Sequence, residues 1–264
     1  MPFVTPQLVD APQGAVPPGE LPASVEAAVW RGDQLGAMVG RVVATGFTQL
    51  DAQLPGGGWP CNSVTEILAA QYSTLEWRLL APALRRICEA GRSVVVVGPP
   101  RQPHLPGLRH EGIDDRHLVW VQAATPSERL WSTEQLIKSK ACGAVIAWVP
   151  QARQEQIRRL QVLAGQCDGP VFLCRPSLAS QESSAAPLRL LARVGLDWEL
   201  QVELIKRKGP SLETTLRLPS VPGGLQFVLS PRMRFPSRWW SQQEARDVVV
   251  GAPSFALRRH TAAH

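Results

Sequence analysis

No apolar run in the 264 residues reaches the roughly 18 that a membrane-spanning helix needs, so no membrane partner is expected. The opening stretch MPFVTPQLVDAPQGAVPPGE lacks the basic start and apolar centre of a secretion signal. Cysteines are few and odd in number: Cys61, Cys88, Cys142, Cys167 and Cys174, with no CxxC or metal-ligand spacing. They read as reduced thiols in or near a core, as in a cytoplasmic protein. No G-x-S-x-G surrounds a serine, and nothing marks Ser63, Ser73 or Cys61 as a nucleophile. The stretch RQPHLPGLRHEGIDDRH holds His104, His110, Glu111, Asp114 and Asp115, but its histidines have no helix-set spacing and its prolines imply a loop. It reads as a solvated surface loop rather than a metal site. There is no internal repeat. No catalytic residue, metal or cofactor is therefore expected.

What is present fits one globular domain with irregular ends: 44% hydrophobic residues, 19% charged, and 24 prolines that cluster towards both termini. The formal charge is +6, unevenly spread. Residues 1–36 carry one arginine against four acids, whereas 231–264 carry six arginines against two. Two readings of the basic balance stand: contact with nucleic acid or an acidic protein, or ordinary solubility charge.

Along the chain, residues 1–22 are Pro/Gly-rich and are expected to form a loose arm. A short amphipathic helix is expected from Ala23 to Leu35 with Ser24 as N-cap. Then apolar strands alternate with helices. Strands are expected over 63–68, 93–98, 117–123, 144–149 and 170–175, and helices over 75–91, 126–139 and 153–166. In the first of these helices Pro82 implies a kink or a late start. Apolar strands separated by helices of about 14 residues predict a parallel sheet covered on both faces. After a Ser/Ala/Pro loop at 176–187, the segments 188–194, 198–208 and 214–219 read as antiparallel strands extending that sheet, and QFVLS (226–230) as a further edge. The domain division is an arm and short helix (1–36), the α/β domain (37–230), and a basic, tryptophan-containing tail (231–264).

Ahead of the first long strand lies TGFTQLDAQLPGGGWPCNSVTEIL. Gly56, Gly57 and Gly58 allow a tight bend, and Leu50 and Leu54 can pack under it. This stretch resembles the segment leading into the nucleotide loop of RecA-family recombinases, and the likeness extends from about Val42 to Leu218, with QVELIKRKGPSLETTLRLP similar to the recombinase's closing hairpin. Within that superfamily the WRG at 30–32, the missing phosphate loop and the ending PRMRFPSRWW are similar to ImuA-type accessory factors of damage-induced mutagenesis. The resemblance implies a RecA-like core and an adaptor that bridges RecA, a polymerase-like scaffold and an error-prone DNA polymerase. Cell-division inhibitors of the SulA type are the alternative, since they share such a fold and would bind a tubulin-like filament protein. The residues after Ser230 favour the adaptor.

A phosphate loop needs glycines, a lysine and a magnesium-binding hydroxyl. On the recombinase pattern, Ala69 and Thr74 stand at the loop glycines, Leu75 at the lysine and Glu76 at the hydroxyl, and no lysine occurs between Ser63 and Gly91. The strand that should end in a magnesium-holding aspartate ends in Trp148, Val149 and Pro150, and Pro100 stands near the position of the water-activating glutamate. The expectation is a retained fold with no nucleotide bound. Two surfaces remain. Lys206 and Lys208, one apart on a strand with Arg207 between, match the recombinase lysines that reach a neighbour's phosphates, or else form a cationic edge that discourages aggregation. Arg234 and Arg238 beside Phe235, Trp239 and Trp240 suit a protein partner, and also single-stranded DNA through stacking.

Overall fold

The computed structural model describes residues 40–70, 74–209 and 214–239. The arm and helix expected before residue 36, and the tail from Trp240 onward, lie outside them. The short strands β1 (Val42–Val43) and β2 (Trp59–Pro60) pair antiparallel around a helical turn, α1 (Thr48–Asp51). There follow β3 (Val64–Ala69), α2 (Leu75–Glu89), β4 (Val94–Val97), α3 (Leu105–His110), β5 (Leu118–Val121), α4 (Pro126–Ser139), β6 (Ala144–Trp148), α5 (Gln154–Ala164), β7 (Val171–Pro176), β8 (Leu188–Val194), β9 (Glu199–Lys206), β10 (Leu216–Pro219) and α6 (Pro231–Arg234).

Eight strands form one sheet in the order β10-β9-β8-β3-β7-β6-β4-β5. From β8 to β5 every pairing is parallel, and β9 and β10 add antiparallel strands at one side. The result is an α/β domain with a mostly parallel sheet flanked by helices, compatible with a RecA-like core. Every residue of β3, β4 and β6 is buried, as strands covered on both faces must be. One face packs on α2, whose Leu75, Leu79, Leu80, Ala83, Leu84 and Ile87 form an apolar stripe. The other packs on α4 and α5 through Ile137, Ile157, Leu160 and Ala164. Helix α4 starts as expected at Pro126, fixed by a capping box between Thr125 and Glu128.

The glycine-rich bend is as anticipated: Gly56 and Gly57 have φ of 82° and 77°, and Leu50 and Leu54 are buried beneath it. A Cβ on Gly58 would stand 2.5 Å from the Val43 carbonyl oxygen, so only glycine lets the two hairpin arms approach. Helix α2 has no late start; it begins at Leu75 and carries Pro82 inside it. The ring of Pro82 packs on Gly46, whose φ of 90° and missing side chain make room for it.

Three expectations are corrected. Strand β8 is not antiparallel to the core; it runs parallel to β3 and antiparallel only to β9. The chain must therefore cross back from the end of β7 to the start of β8, and residues 177–187 make that crossover without an α-helix. Residues 226–230 do not add an edge, because the sheet stops at β10 and this stretch forms turns instead. The stretch 101–117 is only partly loop: Leu105–His110 is helical, with His104 Nδ1 accepting the Gly107 amide at 3.2 Å. Its two aspartates are used in ion pairs, Arg109 with Asp115 at 2.7 Å and Arg116 with Asp114 at 2.6 Å, and Arg116 holds the pKa of Asp114 down to about 2. All five cysteines are buried and unpaired by disulfides. Among the described residues no helix is long and apolar enough to cross a membrane.

With only the 3₁₀ turn Ser177–Gln181 in it, the crossover leaves backbone carbonyls that something must satisfy. Two buried arginines hold it, and Arg189 takes its carbonyls. Arg189 on β8 donates to the Ala179 carbonyl at 2.7 Å and the Glu182 carbonyl at 3.0 Å. Arg175 on β7 donates to the Ala152 carbonyl at 2.8 Å and the Glu182 carboxylate at 2.6 Å. Both also clasp Glu66 at the centre of β3, Arg175 at 3.0 Å from one oxygen and Arg189 on the other. Removing Glu66 would leave two guanidiniums buried without their shared anion. Glu66→Ala is expected to lower the unfolding free energy by about 3–5 kcal/mol, read from urea denaturation; a loss below about 1 kcal/mol would mean the arginines are solvated like a surface pair.

Candidate functional site

The carboxyl ends of β3, β4 and β6 open on one edge of the sheet. Ala69 closes β3 and is buried. Residues 71–73, in the middle of the strand-to-helix join, lie outside the described residues. Thr74 is the N-cap of α2, exposed, and its side chain makes no capping bond. Leu75 and Glu76 are both buried because the apolar stripe of α2 begins at its first turn. Glu76 meets the end of β6: its Oε1 accepts the indole N–H of Trp148 at 3.2 Å. Trp77 tilts against the same indole at 5.9 Å between ring centroids. The Cys174 thiol on β7 is pushed well up by burial and, secondarily, by the Glu76 carboxylate.

Arg129 of α4 closes the neighbouring strand ends. Its Nε donates to the Ala123 carbonyl at 3.1 Å and its Nη1 to the Trp148 carbonyl at 3.5 Å. A Cβ on Gly98 would lie 2.6 Å from that Nε, so the guanidinium lies over the end of β4. Pro100 is exposed beyond it. The positions picked out from sequence, Leu75, Glu76 and Trp148, are thus brought together, but as core packing. A leucine in the core presents no cation and an indole no metal-binding oxygen. Beside them a cleft of about 320 Å³ stays open, lined by Thr74, Trp77, Arg78, Arg101, His104 and Glu111 among others. Arg78 is turned to structure there, donating to the Ser220 carbonyl at 2.7 Å and the Trp198 carbonyl at 3.1 Å. Burial lowers the pKa of its guanidinium, partly offset by Glu111.

The three cations at the end of β9 do not form one outward row, because the strand ends at Lys206 and its alternation ends with it. Lys206 Nζ donates to the Ser184 carbonyl in the crossover at 2.8 Å. Arg207 donates to the Gln53 carbonyl beyond α1. Lys208 is exposed.

The stretch 225–239 is a surface of a different kind. It has no acidic residue, and Phe227 and Val228 are 84% and 71% exposed, with Met233 and Phe235 exposed near them. Arginines cover its rings: Arg232 lies 4.0 Å above Trp239 and Arg238 4.6 Å above Phe235. Arg234 turns back to the Gln226 carbonyl at 2.7 Å. The turn between β8 and β9 anchors the whole, where Asp197 and Trp198 have positive φ. Trp198 Nε1 donates to the Met233 carbonyl at 2.9 Å, the Ser237 amide donates to Asp197 Oδ1 at 2.8 Å, and the Ser237 hydroxyl donates to Asp197 Oδ2. Trp240 falls outside the described residues.

Sequence reasoning missed Glu66, Arg175 and Arg189, although each is a charge inside a mostly apolar strand. It also missed Asp197 and Trp198, in the four-residue connection between β8 and β9, whose partners in 231–239 lie far along the chain. Among the described residues no His, Cys, Asp or Glu cluster is arranged to hold a metal. No protein-family model matches the chain, and a search of curated proteins finds no match.

Trp148→Phe keeps a ring against Trp77 but removes the donor to Glu76. It is expected to cost about 1–3 kcal/mol by urea denaturation, and Trp77→Phe, which spares that bond, less. The Ser237 hydroxyl and amide hold Asp197 below the ordinary aspartate value. Its charged form therefore favours the docked segment, fully so above the ordinary aspartate range, and the effect is lost as pH falls through the depressed value. Hydrogen exchange of the 231–239 amides, corrected for its intrinsic pH dependence, should lose protection across that acid window in the wild type. Asp197→Ala should show the loss already at neutral pH.

Proposed function

We propose that the chain is a non-enzymatic adaptor of damage-induced translesion DNA synthesis, a RecA-like domain without ATP hydrolysis that bridges RecA and an error-prone polymerase complex. The observation that carries the non-enzymatic half is the Glu76–Trp148 hydrogen bond. It joins, inside the core, the two positions that in a phosphate site would supply the magnesium-binding hydroxyl and the magnesium-holding carboxylate. With Leu75 packed beside them, the nucleotide locus is filled by side chains, which supports reading it as a degenerate phosphate loop. Function then falls to the surfaces, in the cytoplasm and away from membranes.

The choice of partners rests on the resemblance to ImuA-type factors. Arg234, Arg238, Trp239 and the neighbouring Trp240 are assigned to the polymerase-like scaffold, because exposed apolar side chains between arginines suit an acidic protein surface. Single-stranded DNA is a secondary ligand for the same residues. Lys206, Arg207 and Lys208 are assigned to a RecA filament end.

Co-purification after DNA damage, comparing the full chain with one truncated before Pro231, tests the reading. The full chain should bring down RecA and the polymerase complex, and the truncated chain should lose the polymerase complex. Capture of a division-ring protein instead would sink the adaptor. Titration calorimetry with ATP and magnesium should give no binding heat; clear binding would overturn the account of the strand ends. Unchanged RecA capture by the Lys206→Ala, Lys208→Ala double variant would remove that surface from the proposal.

A further inference from the structure

The two edges of the sheet are built differently. Strand β10 is protected: it is four residues long, carries Arg217 and ends in Pro219, which has no N–H to offer. Strand β5 is equally short, at four residues, but lacks the charge and the proline. Its sequence is Leu118-Val119-Trp120-Val121, with no charge, no proline and no bulge, and among the described residues it pairs only with β4. Its side chains are exposed on both faces of the sheet. Trp120 stands in register with Val96, on the face that packs against α2, and is 41% exposed. Val119 stands in register with Val95 on the α4 face and is 45% exposed. An open edge with apolar side chains above and below is a template for another strand.

We propose that this edge pairs with a second copy of the chain, β5 against β5, in a two-fold antiparallel continuation of the sheet. Charge and geometry both favour a copy. No charged side chain lies between His117 and Glu128, so self-pairing brings no like charges together along the strand. Residues directly opposite in an antiparallel pair share a face, and a two-fold axis through Trp120 meets that condition at every position. It sets Trp120 beside its counterpart on one face and Val119 beside Val121 of the second copy on the other. Each exposed side chain thereby finds an apolar partner, and the outward backbone groups of both strands are satisfied together. The inference is independent of the adaptor reading.

Sedimentation velocity of the full chain across a dilution series tests it. The expected result is a reversible dimer, at twice the 28.8 kDa chain mass, that Val119→Lys and Trp120→Lys each convert to monomer while retaining the circular dichroism of the wild type. Both sites are part-exposed and lie on opposite faces, so a folding defect in one variant leaves the other informative. Val162→Lys, on the exposed side of α5, should leave the dimer intact. A chain that stays monomeric at every concentration would overturn the proposal. So would a dimer that neither β5 variant weakens, since the contact would then lie elsewhere. A monomer whose β5 amides are nonetheless protected from exchange would likewise overturn it, with the edge covered by the chain's own terminal residues.

Discussion

Glu66 sits at the middle of the sheet with both carboxylate oxygens bound by guanidiniums from the strands on either side. A carboxylate so far from water is tolerated only when paired and hydrogen-bonded throughout. Here the pairing also does a topological job. Strands β7 and β8 both run parallel to β3, so the chain has to recross the sheet between them. It does so through the 3₁₀ turn Ser177–Gln181 and irregular backbone, and Arg189 donates to the carbonyls of Ala179 and Glu182. An α-helix would have satisfied more of the crossover internally; here one of the two arginines that neutralise Glu66 does part of that work. Lys206 adds a third cation at the Ser184 carbonyl. The position of β8, and through it of β9 and β10, follows from this one ionic knot.

The same principle, side chains doing what a ligand or regular backbone does elsewhere, governs the carboxyl edge. Parallel strands leave a crevice at their carboxyl ends that commonly holds a ligand. In this chain Leu75, Glu76, Trp77 and Trp148 pack across part of it from α2 and β6, Arg129 covers the adjoining strand ends, and a cleft of about 320 Å³ stays open beside them. The exposed rings and arginines lie along residues 225–239, held on the β8–β9 turn by Asp197 and Trp198.

Most of the architecture was legible because its signals are local. Apolar runs such as SVVVVG and AVIAWV, the amphipathic segments between them, and Pro126 at the start of α4 each announce themselves over a few residues. The direction of β8 was not legible: LRLLARV reads equally well parallel or antiparallel, and the choice is made by Arg189 reaching Glu66 across 123 positions. The late start that Pro82 suggested for α2 failed for a similar reason, since its seat against Gly46 is a tertiary contact. At the site, Leu75, Glu76 and Trp148 could be picked out residue by residue. That Glu76 and Trp148 would bind one another was not legible, because nothing local links two positions 72 residues apart. That Lys206 would reach the Ser184 carbonyl was not legible either, because that contact depends on the path of the crossover.

A phosphate site is costly to keep empty: its glycines add chain entropy and its buried polar groups wait for a ligand. A protein that binds nucleotide recovers that cost through the ligand's own binding energy. A chain that has stopped binding one can recover it only by repacking, and substitutions that fill the cavity are then the stabilising ones. On the proposed reading Leu75 and the Glu76–Trp148 pair are changes of that kind, and they extend the hydrophobic core to the strand ends. A core that needs no ligand at that edge leaves recognition, on the same reading, to surfaces such as the ring-bearing stretch 225–239.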